Sequence, residues 1–506
     1  MVFMVQKLQR GLEALGRATE GPPYVLAPVY RSVASGPMAM PNTEAQWDIL
    51  EVGQVWGERY GTSWLRTTLH VPAEQQSEPL VLQLHWDTRD HDELLRHLEA
   101  TVFLDGRACG AFDWRHPALL LPSEASDGAD HELLLQVFTE VPHPFGGLTL
   151  HARSEIHWQL YHLLETVLHV CLSLHEGEPA RHALLDRLNN AYNMLDLREG
   201  WRSERFTPSA QAAYAYLQTH LTEGLTSGNR PQITVSGHAH LDVAWQWPYW
   251  RTRQKIAHTV ANVLGLMEHY PDYHYSQSQP QVLQWLKEDV PELYARVKER
   301  VAEGRFEPVG AMWLEADCNL PSGESLVRQI LHGTRFMQEE FGMTVHYIWL
   351  PDVFGYSAAL PQIMRGCNIA VFMTTKISWN QFNRMPCDTF RWRGIDGTEV
   401  LTHFITAPDL LLPHPGDWRD AQTVRHAYEL NVPVVFIPGR TQTPSISSEV
   451  HQGFIQTDCS HIVVETVKPA EDGNGLIVRL YEAHNQRGGG TLSFAIPSMP
   501  RKYAIC

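Results

Sequence analysis

No apolar run in this 506-residue chain approaches the roughly 18 residues that a membrane-spanning helix needs. The start, Met1-Val2-Phe3-Met4-Val5-Gln6-Lys7, is apolar but breaks off at once, so it lacks the apolar stretch of a secretory signal. Cationic residues are also short, with 40 Lys and Arg against 57 Asp and Glu and a formal net charge of -17. That balance argues against a nucleic-acid partner, because binding phosphates requires cationic surface. Cysteine is sparse: the seven thiols are scattered, odd in number and without CxxC spacing. They read as reduced thiols of a cytoplasmic protein, and a disulfide framework is excluded. No internal repeat or charge run occurs. What is plentiful is tryptophan, with 16 residues beside 27 histidines. Trp among many His, Asp and Glu suits a carbohydrate-handling surface, although core packing is its commoner use. The length allows two to four domains, each with its own core.

Residues 1–150 have a β character. Trp64–Val71 alternates with period two, Leu80–Trp86 follows after a polar turn, and Thr101–Leu104 leads into Asp105-Gly106, a hairpin signal. Glu132–Phe138 continues the series, so a β-sandwich is expected. From Glu155 the apolar period changes to three and four, through Ile156, Leu160, Leu163, Leu164, Val167 and Leu168. Further helical stretches at Ala183–Leu188 and Ala210–Leu221 make 151–230 a helical connector. Over 231–409 strands alternate with helices. Candidate strands are Ile233–Ser236, Tyr273–Ser276, Phe306–Trp313, Tyr347–Leu350, Ala370–Thr374 and Val400–Ile405, with helices such as Val282–Val297 and Leu326–Phe341 between. Such alternation implies a parallel sheet, open or closed into a barrel. Residues 410–506 lose the alternation: a helical stretch after Trp418 and a loop-like Pro438–Glu449 precede β-like runs at Ile462–Val467 and Leu476–Tyr481.

Chemistry in parallel sheets collects at the carboxyl ends of strands. Here those ends carry His238/His240/Asp242, Gln277/Gln279, Glu315/Asp317, Asp352/Tyr356, Lys376/Trp379 and His403/Asp409. Random placement would not put a reactive group at nearly every strand end. The richest is Gly237-His238-Ala239-His240-Leu241-Asp242-Val243-Ala244-Trp245. Alternate side chains of an extended segment share a side, so two imidazoles and a carboxylate converge as a divalent metal needs, and the donor types suit zinc. That spacing lets at most two of the three act as close ligands, with His238 the one expected to stand behind. Histidines buried with backbone partners are the ordinary alternative. Trp245 offers a flat surface for stacking on a sugar ring.

Glu315 and Asp317 place two carboxylates at alternate positions, and glycosidases need paired carboxyls, about 5 Å apart in retaining enzymes. The same stretch can be a solvated turn in which Ser322 caps the next helix. Cys318 has no evident paired base and reads as a packing residue. Asp352 with Phe354 and Tyr356 fits either a sugar-hydroxyl site or a capped loop, and a strand histidine such as His403 is more often core than catalytic.

Gly237–Trp245, Trp313–Glu324, Leu350–Met364 and Lys376–Asn380 together resemble the family-38 glycoside hydrolases, in their cytosolic-type α-mannosidase branch. The resemblance covers about residues 50–408. It implies an N-terminal β-domain, a zinc-bearing (β/α)7-type barrel, here incomplete, and C-terminal β-domains of which 410–506 is a short remnant. His240, Asp242 and Asp317 match the family's zinc ligands, Asp317 also its nucleophile, and Trp245 the residue under the bound mannose. Asp409 lies near the acid/base position, and Asp352 and Tyr356 are candidate substrate contacts. Relatives have hundreds of residues between the barrel and the C-terminal region, including a fourth zinc ligand, a His. The resemblance implies an internal deletion near Asp409–Leu412. The function it implies is zinc-dependent retaining hydrolysis of terminal α-mannosides of oligosaccharides in the cytoplasm, with one zinc per chain. An inactive truncated homologue that keeps metal or sugar binding is the second reading, and a metal-dependent deacetylase or amidohydrolase the third.

Overall fold

The structure, a computed structural model, describes residues 2–41, 44–73, 76, 78–86, 98–113, 116–200, 203–223, 235–379, 387–405, 455–459, 461–470, 475–482 and 490–494. The chain divides into two units, one of residues 1–221 with 234–407, the other of 222–233 with 408–506.

The first unit opens with α1 (Val2–Ala18), where strands were expected. Leu8 and Leu15 are buried, and the helix packs on the later helices rather than on a sheet. Eleven strands follow: β1 (Tyr24–Leu26), β2 (Tyr30–Val33), β3 (Asp48–Ile49), β4 (Val55–Trp56), β5 (Gly61–Leu69), β6 (Leu80–Trp86), β7 (Leu98–Leu104), β8 (Arg107–Phe112), β9 (Ala118–Leu120), β10 (His131–Thr139) and β11 (His143–Ala152). They form two antiparallel sheets, ordered β3-β2-β5-β10-β7-β8 and β1-β11-β6-β9, with β4 also on β11. The expected hairpin is present. Leu104 pairs with Arg107 across Asp105 and Gly106, both at positive φ (49° and 77°), as a two-residue turn of the right twist requires.

Period two explains the burial. Leu65, Val102, Leu133, Leu135 and Val137 face the core between the sheets. Trp64, Phe103 and Leu134, on the opposite face, join a second core with α5 (below). The six-stranded sheet is covered on both sides, so every residue of β7 is buried.

α2 (Glu155–Ser173), α3 (Pro179–Asn193) and α4 (Phe206–His220) pack on one another, and α1 joins α2 and α3. The alternating region then contains β12 (Gly237–His238), α5 (Tyr249–His269), β13 (Tyr275–Gln277), α6 (Pro280–Asp289), α7 (Pro291–Ala302), β14 (Phe306–Pro308), α8 (Gly323–Phe341), β15 (Tyr347–Leu350), α9 (Leu360–Gly366), β16 (Val371–Thr374), β17 (Thr389–Arg393) and β18 (Glu399–Phe404).

Several expectations need correcting here. The helix anticipated over Val282–Val297 is two helices, because Pro291 cannot donate a backbone hydrogen bond and starts a new helix as its first residue. The strand anticipated over Phe306–Trp313 ends at Pro308, and Gly310 turns the chain at φ 80°. Of the strand anticipated over Ile233–Ser236, Ile233 and Thr234 lie outside the described residues and Val235 and Ser236 are not in a strand, while β12 lies in the histidine motif itself. No closed barrel forms among the described residues. The parallel strands lie in two sheets, β12-β13-β14 and β15-β16-β18, the latter extended by antiparallel β17, which was not anticipated. The class is therefore mixed α/β with an N-terminal sandwich.

Ser322 caps α8 as expected, its hydroxyl accepting the Ser325 amide at 3.2 Å. Gly333 lets α8 lie on the loop after β14, since a Cβ there would come within 2.1 Å of the Ala311 carbonyl oxygen. In the second unit, β19 (Ile455–Thr457) pairs with β22 (Leu492–Phe494), and β20 (Ile462–Pro469) with β21 (Leu476–Glu482), both antiparallel.

A buried ion cluster fastens α5 to the sandwich. Glu99 of β7, 9% exposed, accepts from Arg251 and, at 2.6 Å, from Lys255. Burial by itself would raise the Glu99 pKa, but the two cations outweigh it and lower the value from 4.5 to about 2. Arg251 is pulled down by burial yet stays a cation at any ordinary pH. A depressed carboxyl contributes stability above its unfolded pKa that is lost as pH falls through the folded one, so this contribution declines between 4.5 and about 2. Glu99→Gln is expected to cost about 3 kcal/mol at neutral pH, because it takes the directly paired carboxylate from the buried Arg251 and the half-buried Lys255. Urea unfolding should show a flatter acid dependence for the variant, and equal slopes in both proteins would refute the assignment.

Candidate metal centre

β12 ends at His238, and side-chain amides hold the chain that leaves it. Gln277 Nε2 donates to the Ala239 carbonyl at 3.2 Å, and Gln279 Nε2 to the Leu241 carbonyl at 2.8 Å. Thr252 Oγ1, from α5, donates to the Asp242 carbonyl at 2.7 Å. Ala239, Leu241 and Val243 pack against the α5 core, so the residues between them turn the other way. The alternation anticipated for the motif extends past the strand because these amides and that packing hold it.

His240, Asp242 and Asp352 each bring a donor atom within 4.8 Å of the others. His240 Nε2 lies 3.4 Å from Asp242 Oδ1 and 3.8 Å from Asp352 Oδ2. Asp352 follows the end of β15, and its other oxygen accepts from Lys376. On its far side His240 donates Nδ1–H to Glu315, whose second oxygen accepts from Ser278. Burial by itself would lower the His240 pKa, but the hydrogen bond and charge of Glu315, helped by Asp242, raise it to about 9. An imidazole nitrogen and two carboxylates form a donor set that zinc accepts, at separations near those of donors about 2.1 Å from one ion. The residues fit the metal.

His238 is not in this group. Its Nε2 accepts the Trp349 indole N–H at 3.2 Å and lies 3.1 Å from Ser278 Oγ. Burial lowers its pKa, which favours the neutral ring. Asp317 also lies outside the group. Its Oδ1 accepts the amides of Asn319 and Leu320, both at 2.8 Å. Cys318 is fully buried, and burial pushes its thiol up to about 12, with Asp317 adding to the effect. It packs, as expected.

The loops bearing Asp317 and Asp352 are joined. Cys318 bridges Tyr356 in parallel, and the Ser357 amide donates to the Cys318 carbonyl at 3.1 Å. Gly355 permits this approach, because a Cβ there would meet Asn319 Nδ2 at 2.3 Å. The Tyr356 hydroxyl serves the loop itself, donating to the Val353 carbonyl at 2.6 Å and meeting Thr374 Oγ1 at 2.7 Å. Trp245 is 67% exposed and meets Trp247 edge-on, with ring centroids 5.8 Å apart. Trp247 is fixed by its N–H to Thr252 Oγ1 at 3.0 Å and by Lys255 over its ring. His403 bonds Thr389 Oγ1 at 2.8 Å across the β17-β18 pair. Asp409 lies outside the described residues.

No local spacing in the chain marks the support behind His240. Glu315 stood out only as the alternate partner of Asp317, and Lys376 only as a strand-end charge; their partners lie far away along the chain.

Residues 230–459 match the model of the glycosyl hydrolases family 38 N-terminal domain, and 461–502 that of the family 38 C-terminal beta sandwich domain. Residues 31–141 match the alpha-mannosidase jelly roll domain. Among curated relatives, "Alpha-mannosidase G" of Dictyostelium discoideum is 48% identical over 35% of this chain and 16% of its own length. "Alpha-mannosidase 2C1" of Homo sapiens is 43% identical over 43% of this chain and 20% of its own. The protein of the same name from Mus musculus is 34% identical over 70% of this chain and 34% of its own. The chain belongs to glycoside hydrolase family 38. It spans about a third or less of the length of these relatives. The N-terminal family-38 match runs past Asp409–Leu412, the junction expected from the sequence, and the C-terminal match begins almost at once after it.

Zinc titration of the metal-stripped protein tests the donor group. Relative to the parent, His240→Ala and Asp352→Ala are each expected to weaken binding by at least about a hundredfold, as lost donors should exceed the roughly 10- to 100-fold effect of lost supporting partners. Parent-like affinity in Asp352→Ala would remove it from the centre.

Proposed function

We propose that this chain is a zinc-dependent retaining α-mannosidase that acts on terminal α-mannosides of oligosaccharides in the cytoplasm. The observation that carries this reading is the His240–Asp242–Asp352 group inside the matched family-38 domain, with the Asp317 loop tied to the Asp352 loop. The zinc donors are His240 and Asp242, with Asp352 beside them and Asp317 added as the resemblance implies. Bound zinc supplies Lewis acidity toward vicinal sugar hydroxyls.

The chain's own groups carry the reaction. Trp245 presents an exposed indole face under the sugar. The two backbone amides on Asp317 Oδ1 orient its carboxylate, the nucleophile. The Asp317 carboxylate forms a bond to the anomeric carbon as the glycosidic C–O bond breaks, and a second carboxyl gives its proton to the leaving oxygen. That carboxyl, now the base, takes a proton from water, whose oxygen displaces Asp317 and regenerates the free carboxylate. Asp409 is the proposed acid/base. The free state of all six described cysteines accords with a reducing compartment.

One observation favours a second reading, a homologue that binds metal or sugar without turnover. The two family-38 matches abut, with the N-terminal one ending at 459 and the C-terminal one starting at 461. Hydrolysis of an aryl α-mannoside by the zinc-loaded parent decides between the two. Asp317→Asn is expected to abolish that hydrolysis, a loss of at least about a thousandfold, while circular dichroism and thermal unfolding stay unchanged. Parent-like rates in Asp317→Asn would sink the nucleophile assignment.

A further inference from the structure

Glu315 is built to hold a proton on one particular nitrogen of His240. Its side chain is 2% exposed, and both oxygens are occupied, one by His240 Nδ1–H and the other by the Ser278 hydroxyl. Its own amide is directed to Gln279 Oε1 at 3.4 Å. Ser278 is itself buried, and its Oγ lies 3.1 Å from His238 Nε2, which accepts the indole N–H of Trp349 at 3.2 Å. A chain of polar groups, buried at Ser278 and Glu315 and half-buried at its ends, thus runs from Trp349 on β15, the strand that leads into Asp352, through His238, Ser278 and Glu315 to His240.

A neutral imidazole offers a lone pair at one nitrogen only when the other carries the proton. Fixing that proton at Nδ1 leaves Nε2 as the donor, and Nε2 is the atom beside Asp242 and Asp352. Glu315 has no oxygen left for a substrate and no exposed surface to meet one, so it acts through His240. We propose that Glu315 is a positioning residue that sets the Nδ1–H tautomer of His240 and so raises the affinity of the centre for zinc. This rests on reading the site as a zinc centre.

The test uses the full chain, stripped of metal. Zinc affinity is measured by competition with a chromophoric chelator, and the visible absorption of the cobalt-loaded protein reports the ligand field. Glu315→Leu is expected to weaken zinc binding 10- to 100-fold, the usual cost of losing a histidine's supporting carboxylate, and to shift the cobalt bands. Glu315→Gln keeps an oxygen that accepts Nδ1–H, so it should recover most of the affinity and the parent cobalt spectrum. Parent-like affinity in Glu315→Leu overturns the proposal. Equal losses in both variants, together with lowered unfolding temperatures of the metal-free proteins and an unshifted cobalt spectrum, also overturn it, because that pattern marks a purely structural role. A parent that binds no zinc, or whose zinc binding is indifferent to His240→Ala, instead sinks the zinc-centre reading and this proposal with it.

Discussion

The centre depends on an extended segment held straight after it has left its sheet. β12 pairs only through Gly237 and His238, yet the alternation of side chains persists to Val243. What maintains it is a clasp: the amides of Gln277 and Gln279 each grip a carbonyl, at Ala239 and Leu241. Without the clasp those carbonyls would need other donors, and the segment would be free to twist. With it, the apolar residues enter the core and His240 and Asp242 face Asp352. Gln277 and Gln279 come from the end of β13, so the neighbouring parallel strand shapes the site without contributing a donor.

The same economy operates around the rest of the centre. The loop from Trp313 to Ser322 carries Glu315, which holds His240 from behind, and Asp317, proposed to attack the sugar. That loop is joined to the Asp352 loop through Cys318, Tyr356 and the close approach at Gly355. Charge is balanced locally, with Lys376 on one oxygen of Asp352 and His240 near the other. The Glu99 cluster then locks α5, which carries Thr252, to the sandwich. The N-terminal domain therefore bears indirectly on the geometry of the centre.

Much of the fold was legible because burial on one face leaves a period in the chain. Leu80–Trp86 and Tyr347–Leu350 have the bounds expected, and Asp105-Gly106 makes the turn its conformational freedom suggests. The failures have physical causes. In α1, Leu8 and Leu15 recur at helical spacing, but an apolar start beside a β-rich region masked the pattern. A proline inside a helical period divides it, as Pro291 does. The incomplete barrel was implied by the family resemblance, since alternation says only that strands are parallel; whether the sheet closes depends on pairing between distant strands.

The sequence by itself determined that His240 and Asp242 share a side, that Ser322 begins a helix, and that reactive groups gather at the ends of parallel strands. These properties follow from spacing within a few residues, where backbone geometry leaves little choice. Only the tertiary structure decided that Asp352 stands beside His240 and that Glu315 takes the Nδ1 proton. Those outcomes depend on which loops meet after the sheets and helices have packed, and contacts across 75 residues or more leave no local period to read.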